Sequence, residues 1–515
     1  MKTRPLMQLD FYKTQHHKMY PEGTTLVYSN LTPRSVKYLP KIEGTDDKVV
    51  FFGLQYFIKD FLIEKFNTEF FSKPKNEVVS YYKRRLDTSL GGDADVSHIE
   101  ALHDLGYLPI LIKALPEGAA VDAKIPVFTI ENTLPDFFWL TNFLETILSA
   151  TIWKPCTSAT LARKYKKLLL NFAEETGVDP SFVGFQGHDF SFRGMSGAED
   201  AAMTGAGHLT SFVGTDTVPA IDFLEDYYNA NADKELVGCS VPATEHSVMT
   251  LNAKFDEGEP DEYDSFKRLI TDLYPNGIVS IVSDSFDFWG VLTKILPSLK
   301  AEIMARDGKV VIRPDSGDPV KIVAGYTEDE VYLDNGYFKE VGTDKILDLN
   351  EINGAVEVLW ETFGGTVTDK GFKSLDSHIG LIYGDSITLD RANEILTRLK
   401  NKGFASNNIV FGIGSYTYQY QTRDTLGFAV KATAGIVNGE VKEIFKKPKT
   451  DDGMKNSAKG FLAVYRDVND PKGNYTLKDQ VSANTLSDLA PVFENGKLLI
   501  DQNLVDIRNR ISDNL

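Results

Sequence analysis

The chain has 515 residues, of which 42% are hydrophobic and 25% charged, and its 55 Lys and Arg against 73 Asp and Glu leave a formal net charge of −18. This length exceeds one ordinary core and implies two or three domains with the composition of a soluble globular protein. The acidic balance argues against non-specific nucleic-acid binding, which rests on phosphate neutralisation by Lys and Arg, but leaves room for a local basic pocket that takes a small phosphate ligand.

The first residues, MKTRPLMQLDFYKTQHHK, are charged and carry no apolar core, so no secretory signal is expected. Residues 1–178 read as a mixture of short strands (25–30, 48–52, 110–114, 126–131) and helices. One helix is expected over 51–66. The most apolar stretch, DFFWLTNFLETILSATIW (136–153), contains Asn142 and Glu145. It is too short and too polar to span a bilayer and reads as a buried helix, so no membrane partner is expected. A separate helix is expected over 158–177, where Leu161, Tyr165, Leu168 and Phe172 share one face and Gly177 caps the end. Two cysteines, Cys156 and Cys239, exclude a disulfide framework and a cysteine-based zinc site and point to a reducing, cytoplasmic compartment.

From about 180 the rhythm changes. Apolar β-branched runs end in small polar clusters at 211–217, 277–287, 309–319, 379–390 and 409–415, and helical patterns follow several of them. DRANEILTRLKNKG (390–403) carries Ala392, Ile395, Leu396 and Leu399 on one stripe. Such alternation indicates parallel strands buried on both faces and, over about 240 residues, an irregular (β/α) barrel. An acidic loop, FDEGEPDEYD (255–264), interrupts it. The tail, 424–515, returns to short strands, with a polar surface loop at 445–460.

In α/β folds ligands sit at the carboxyl ends of strands. Asp216, Asp284, Arg313, Asp315 and Asp385 each lie just past an apolar run and would converge on one mouth; each Asp is equally suited to cap a following helix. FGIGSY (411–416) offers Gly412, Gly414 and Ser415 for backbone approach to an anion, or spells a bare turn. HDFSFRG (188–194), read as an alternating strand, puts Phe190 and Phe192 on one side and Arg193 on the other. That arrangement suits a flat heteroaromatic ligand, or a core strand with an edge arginine. Lys113, flanked by apolar residues, could form a Schiff base or pair with an acid. VPATEHS (241–247) isolates His246 beside Glu245.

Together these motifs resemble the nicotinamide phosphoribosyltransferases of the type II phosphoribosyltransferase family. The likeness runs in order through DFYKTQHHKMYP (10–21), FFGLQYFI (51–58), ENTLPDFFWLTNFLETIL (131–148), HDFSFRG, GTDTVPA (214–220), SVPATEHS (240–247), VSDSFD (282–287), IRPDSGDP (312–319), GDSITLD (384–390) and QTRD (421–424). The resemblance implies an α/β sandwich built from 1–178 and 424–515 with an irregular (β/α) barrel over 179–423. It implies a homodimer with shared active sites that joins nicotinamide to phosphoribosyl pyrophosphate in NAD salvage. Mg²⁺ would accompany the pyrophosphate without a dedicated protein cage, and ATP would stimulate the reaction through a phosphorylated histidine.

The family's roles then fall on residues of this chain. Phe190 would stack on the nicotinamide ring, with Tyr12 of the partner on its other face. Asp216 would accept from the carboxamide, Arg193 would lie beside it, and Asp284, Arg313 and Asp315 would line the ring and ribose pocket. Gly384 and Asp385 would hold the ribose hydroxyls, Gly414 and Ser415 the 5′-phosphate, and Arg34, Arg423 and Lys431 further phosphates. His246 would take the ATP γ-phosphate. Two departures stand out. FGIGSY is tighter than the family's glycine-rich turn, and Phe461 stands where the family has a basic residue, with Lys446 and Lys455 in the neighbouring loop. The alternatives are a nicotinate phosphoribosyltransferase, a Schiff-base lyase using Lys113, and a non-catalytic homologue.

Overall fold

The computed structural model describes residues 4–256, 258–446, 458–467, 470, 473–513 and 515. The N-terminal part supplies β1 (Thr24–Thr32), β2 (Ile110–Ala114) and β3 (Phe128–Asn132). The middle supplies β4 (Gly187–Asp189), β5 (Gly214–Thr215), β6 (Asn276–Val282), β7 (Asp307–Arg313), β8 (Ile379–Tyr383) and β9 (Val410–Ile413). The C-terminal part supplies β10 (Ala429–Val437), β11 (Glu440–Glu443), β12 (Ala490–Glu494) and β13 (Lys497–Leu498).

Strands β4 to β9 form one parallel sheet in the order β6-β7-β8-β9-β4-β5. Val279 to Val282 of β6 are all buried, as a parallel strand covered on both faces requires. The sheet curls, and residues 239–244 link its two edges. Cys239 bridges Gly214 of β5 and Ala243 bridges Ser280 of β6, both in parallel register. Pro242 lies between them without an N–H to donate, so isolated bridges form there rather than a regular strand.

The second sheet is antiparallel, in the order β11-β10-β1-β3-β2-β12-β13, and joins both chain ends. Asn30 of β1 faces Lys431 of β10. A buried polar knot ties the same ends behind this sheet. Glu117 accepts from the backbone N–H groups of Gly53 (2.7 Å) and Gln55 (2.6 Å) and from the Tyr228 hydroxyl (2.8 Å), while its own N–H donates to Gln502. Burial raises the Glu117 carboxyl above its ordinary range against these donors.

The two helices expected over 136–153 and 158–177 are one, Leu140–Thr176, ending at Gly177 in the left-handed region (φ 74°). Pro155 lies inside it. Its ring packs against Gly53, where a Cβ would stand 2.5 Å from Pro155 Cγ. The hydroxyls of Thr157, Ser158 and Thr160 each donate to the carbonyl four residues back. The helix expected over 51–66 begins at Leu54 and widens into π turns over Phe57–Lys65 and Asn67–Phe71. The expected acidic loop at 255–264 contains a hairpin, Lys254–Asp256 with Glu259–Asp261, leading into the helix Tyr263–Arg268. Most of the polar loop at 445–460, including Lys455, lies outside the described residues. No helix among the described residues is long and apolar enough to cross a membrane, and both cysteines are free.

Candidate active site

The carboxyl ends of the parallel strands open on a cavity of about 830 Å³ lined by Phe190, Arg193, Asp216, Arg313, Asp315, Gly384, Asp385, Gly414 and Ser415. All but Arg193, which sits four residues past β4, end a strand or follow one within two residues. The capping roles weighed for the acids fall on other residues: Asp287 accepts from Gly290, Asp318 from Val320 and Thr388 from Arg391. Asp284 instead accepts from the backbone N–H groups of Asp315 (2.8 Å) and Ser316 (2.7 Å), locking the end of β6 to that of β7. Its Oδ1 is buried without a hydrogen-bond partner among the described residues.

The cavity floor depends on missing side chains. A Cβ on Gly384 would stand 2.4 Å from Asp315 Oδ1 and 2.9 Å from Arg313 Nε, and one on Gly412 would stand 2.5 Å from the Phe190 ring. Arg313 in turn lies 4.8 Å from the centroid of that ring and 3.2 Å from Asp315 Oδ2.

HDFSFRG is not an extended strand. β4 stops at Asp189, whose Oδ1 accepts from Ser191 N (2.9 Å), and Phe192–Gly194 forms a 3₁₀ turn. Phe190, Phe192 and Arg193 therefore face the same cavity instead of opposite sides. FGIGSY ends in the short helix Ser415–Tyr418. It is held from behind by Lys154 Nζ on Tyr418 O (2.7 Å) and by the Tyr165 hydroxyl on Thr417 (2.8 Å). The Tyr418 hydroxyl meets Nδ1 of His208, whose Nε2 donates to Gly214 O (3.1 Å); burial brings this imidazole down to about 4, so it stays neutral. Ser415 fits because residue 194 is glycine: a Cβ there would stand 2.6 Å from Ser415 Cβ.

Asp216 Oδ1 accepts from His188 Nε2 (2.9 Å) and from the Ser240 hydroxyl (2.5 Å). Burial pushes this carboxyl up, but the two donors and the charges of His188 and Arg313 outweigh it and hold it below the ordinary carboxylate range. His188 and Ser240 lie in HDFSFRG and SVPATEHS, where the sequence alone marks no role for them. The nearest signal is that of His188, two residues before Phe190 on an extended run. Thr217, Thr244, Glu245 and Tyr416 also line the cavity and were not singled out for it.

The remaining expected residues lie outside this cavity. His246 starts the helix His246–Asn252 directly after Glu245, with Nε2 3.9 Å from Asp284 Oδ1 and Nδ1 3.2 Å from the Ser285 hydroxyl. Glu245 is engaged by the Ser247 hydroxyl, so Asp284 is the acid beside the imidazole. Behind them the buried Glu262 is raised to about 7 by burial and by Asp284, Asp261 and Asp287. Tyr12 is 61% exposed. Arg34 donates from Nε to Gly427 O (2.7 Å), beside the turn that carries Arg423 and just before Lys431 on β10. Phe461 is core, its ring edge-on to Tyr28 at 5.0 Å, and Lys446 is exposed. Lys113 lies on β2 of the antiparallel sheet, away from the parallel strand ends.

Residues 185–497, which include the nine cavity residues named first, match the nicotinate phosphoribosyltransferase (NAPRTase) family, and the chain belongs to that family. Its first part narrows the kinship: residues 5–112 match the nicotinamide phosphoribosyltransferase N-terminal domain. The chain is 53% identical to a nicotinamide phosphoribosyltransferase of Acinetobacter baylyi over 99% of its own length and 97% of the relative's. It is 32% identical to a nicotinamide phosphoribosyltransferase of Xanthomonas campestris over 98% and 97%. Among solved structures, nicotinate-nucleotide pyrophosphorylase from Pyrococcus furiosus (16% identity, TM-score 0.56, 99% of this chain and 95% of that one) has the same fold. So does human nicotinic acid phosphoribosyltransferase (14%, TM-score 0.54, 98% and 93%).

Proposed function

We propose that the chain transfers the phosphoribosyl group of phosphoribosyl pyrophosphate to nicotinamide, giving nicotinamide mononucleotide and pyrophosphate in NAD salvage. The observation that carries this reading is the gathering of Phe190, Arg193, Asp216, Arg313, Asp315, Gly384, Asp385, Gly414 and Ser415 on one cavity. It is supported by 53% identity, over nearly the whole chain, to a protein named for that reaction.

The pyridine N1 attacks C1′ as the C1′–O bond to pyrophosphate breaks, through an oxocarbenium-like state. N1 already carries a lone pair and no proton, so no general base is required, and rate comes from alignment and charge. Phe190 supplies a flat face for the base, and Asp216 accepts from its carboxamide, with Arg193 beside it. Arg313 and Asp315 line the ring and ribose pocket, and Asp284 fixes them from behind. Gly384 and Asp385 take the ribose hydroxyls, and Gly414 and Ser415 take the 5′-phosphate at the start of a helix.

The chain acts as a homodimer in which Tyr12, Arg34, Arg423 and Lys431 serve the partner's cavity; none of the four lines the cavity of its own chain. The carboxylates of Asp315 and Asp385 on that cavity suit a hydrated Mg²⁺ brought in by the phosphates, which when bound neutralises the leaving pyrophosphate. His246, half-exposed beside Asp284, accepts the γ-phosphate of ATP. Within this reading the parallel sheet, closed through 239–244, is an irregular barrel spanning 179–423, the antiparallel sheet belongs to a sandwich of 1–178 and 424–515, and the enzyme is cytoplasmic.

Product formation by the purified protein with Mg²⁺, phosphoribosyl pyrophosphate and either nicotinamide or nicotinate, with and without ATP, tests this. Preferred use of nicotinamide supports it, preferred use of nicotinate transfers the reading to the acid, and no mononucleotide from either base overturns it. In His246→Ala synthesis without ATP persists and ATP stimulation disappears; full stimulation in that variant removes the histidine from the scheme.

A further inference from the structure

The carboxylate of Asp216 is not an isolated group on the cavity wall. Two donors from different parts of the chain converge on one of its oxygens: His188 Nε2 from β4 and the Ser240 hydroxyl from the segment linking the sheet edges. Oδ2 has no partner among the described residues. His188 is itself placed by packing, since a Cβ on Gly214 would stand 2.9 Å from its Nδ1. Its ring lies 4.7 Å from that of Phe190, centroid to centroid. We propose that His188 and Ser240 are positioning residues that set the choice of base, by occupying Oδ1 and leaving Oδ2 as the single acceptor offered to the ligand. This rests on the reading that Asp216 meets the carboxamide.

The physical argument concerns how a carboxylate tells an amide from an acid. An ionised carboxylate attracts an amide N–H and repels a carboxylate ligand. Discrimination is lost if the group rotates to present the wrong oxygen, or if it takes up a proton and becomes a donor to the acid ligand. Two donors on Oδ1 oppose both events, because they fix the rotamer and stabilise the charge. Without them burial is left to raise the carboxyl, opposed by Arg313. The other charged groups on the cavity are Arg193, Glu245, Asp315 and Asp385. The sign follows: a group whose carboxyl rises toward the assay range carries a proton in more molecules as pH falls, so the loss of discrimination grows toward acid.

The test is kcat/KM for nicotinamide and for nicotinate in wild type, His188→Ala, Ser240→Ala and the double variant, from about pH 5.5 to about pH 8.5. Ser240→Ala removes a single hydroxyl and keeps the fold testable if His188→Ala folds poorly. Each single change should lower the nicotinamide-to-nicotinate ratio by roughly tenfold, the size of one hydrogen bond to a charge. The double change should lower it further, and each loss should be larger at the acid end. His188→Gln, which keeps a donor, should recover part of the ratio. Equal losses for both bases at every pH would overturn the proposal and leave a merely structural role. If instead Asp216→Asn leaves the ratio unchanged, the underlying reading of Asp216 fails, and this proposal with it.

Discussion

The two sheets divide the charge between them. Among the described residues, the mouth of the parallel sheet presents four carboxylates, Asp216, Glu245, Asp315 and Asp385, and two cations, Arg193 and Arg313. The antiparallel sheet instead gathers Arg34, Arg423 and Lys431 around the junction of β1 and β10. By its own side chains, a cavity with that excess of acid suits an amide and a ribose rather than a departing pyrophosphate. Under the proposed function, the contrast assigns recognition of the base and stabilisation of the leaving group to different sheets, which a twofold dimer would bring together.

The largest effect is expected at the floor of the cavity. Gly384→Ala puts a methyl 2.4 Å from Asp315 Oδ1 and 2.9 Å from Arg313 Nε, so the pair must separate. We expect kcat/KM to fall by about 10²-fold, the cost of misplacing a site by about 1 Å. Thermal unfolding should barely move; a large drop in Tm with unchanged kcat/KM would show the glycine serving the fold alone.

The division between sheets is broken or sharpened by mixing subunits. Arg34→Ala/Arg423→Ala and Asp216→Ala should each be weak alone. When the two are co-refolded, random pairing gives half hybrids with one intact site in two, so about a quarter of wild-type activity should return. No recovery would place the basic patch in service of its own chain's cavity.

A smaller and purely structural effect belongs to the other side of the comparison. Glu117→Ala leaves three buried donors unpaired and should destabilise the fold by about 3 kcal/mol, read as a lower denaturant midpoint. A change below about 1 kcal/mol would mean that water takes over those donors.

How much of this was legible in the sequence differs between the sheets for one reason. Five of the six strands of the parallel sheet fall in local signals, apolar runs that end in polar residues, so Asp216, Arg313 and Asp385 could be placed at one mouth from pattern alone. Strand β1 is equally legible as a strand, but its partner β10 is some 400 residues away, and no local pattern states the pairing. The helix Leu140–Thr176 runs unbroken through Pro155, although 136–153 and 158–177 read as two helices. Buried hydroxyls on the next turns and the bare backbone of Gly53 accommodate the proline. His188 was visible, but its bond to Asp216 required the parallel pairing of β4 with β5.

That distant pairing also bears on how the protein is made. Asn30 and Lys431 are separated by 401 residues, so at about 5–20 residues per second the ribosome finishes β1 roughly 20–80 s before β10 exists. Through that interval one edge of β1 has no mate, while β3 can already cover the other. The nascent chain therefore carries an open template for strand addition during most of its own synthesis. Its yield at high temperature or fast expression should be limited by that edge rather than by the stability of the finished fold.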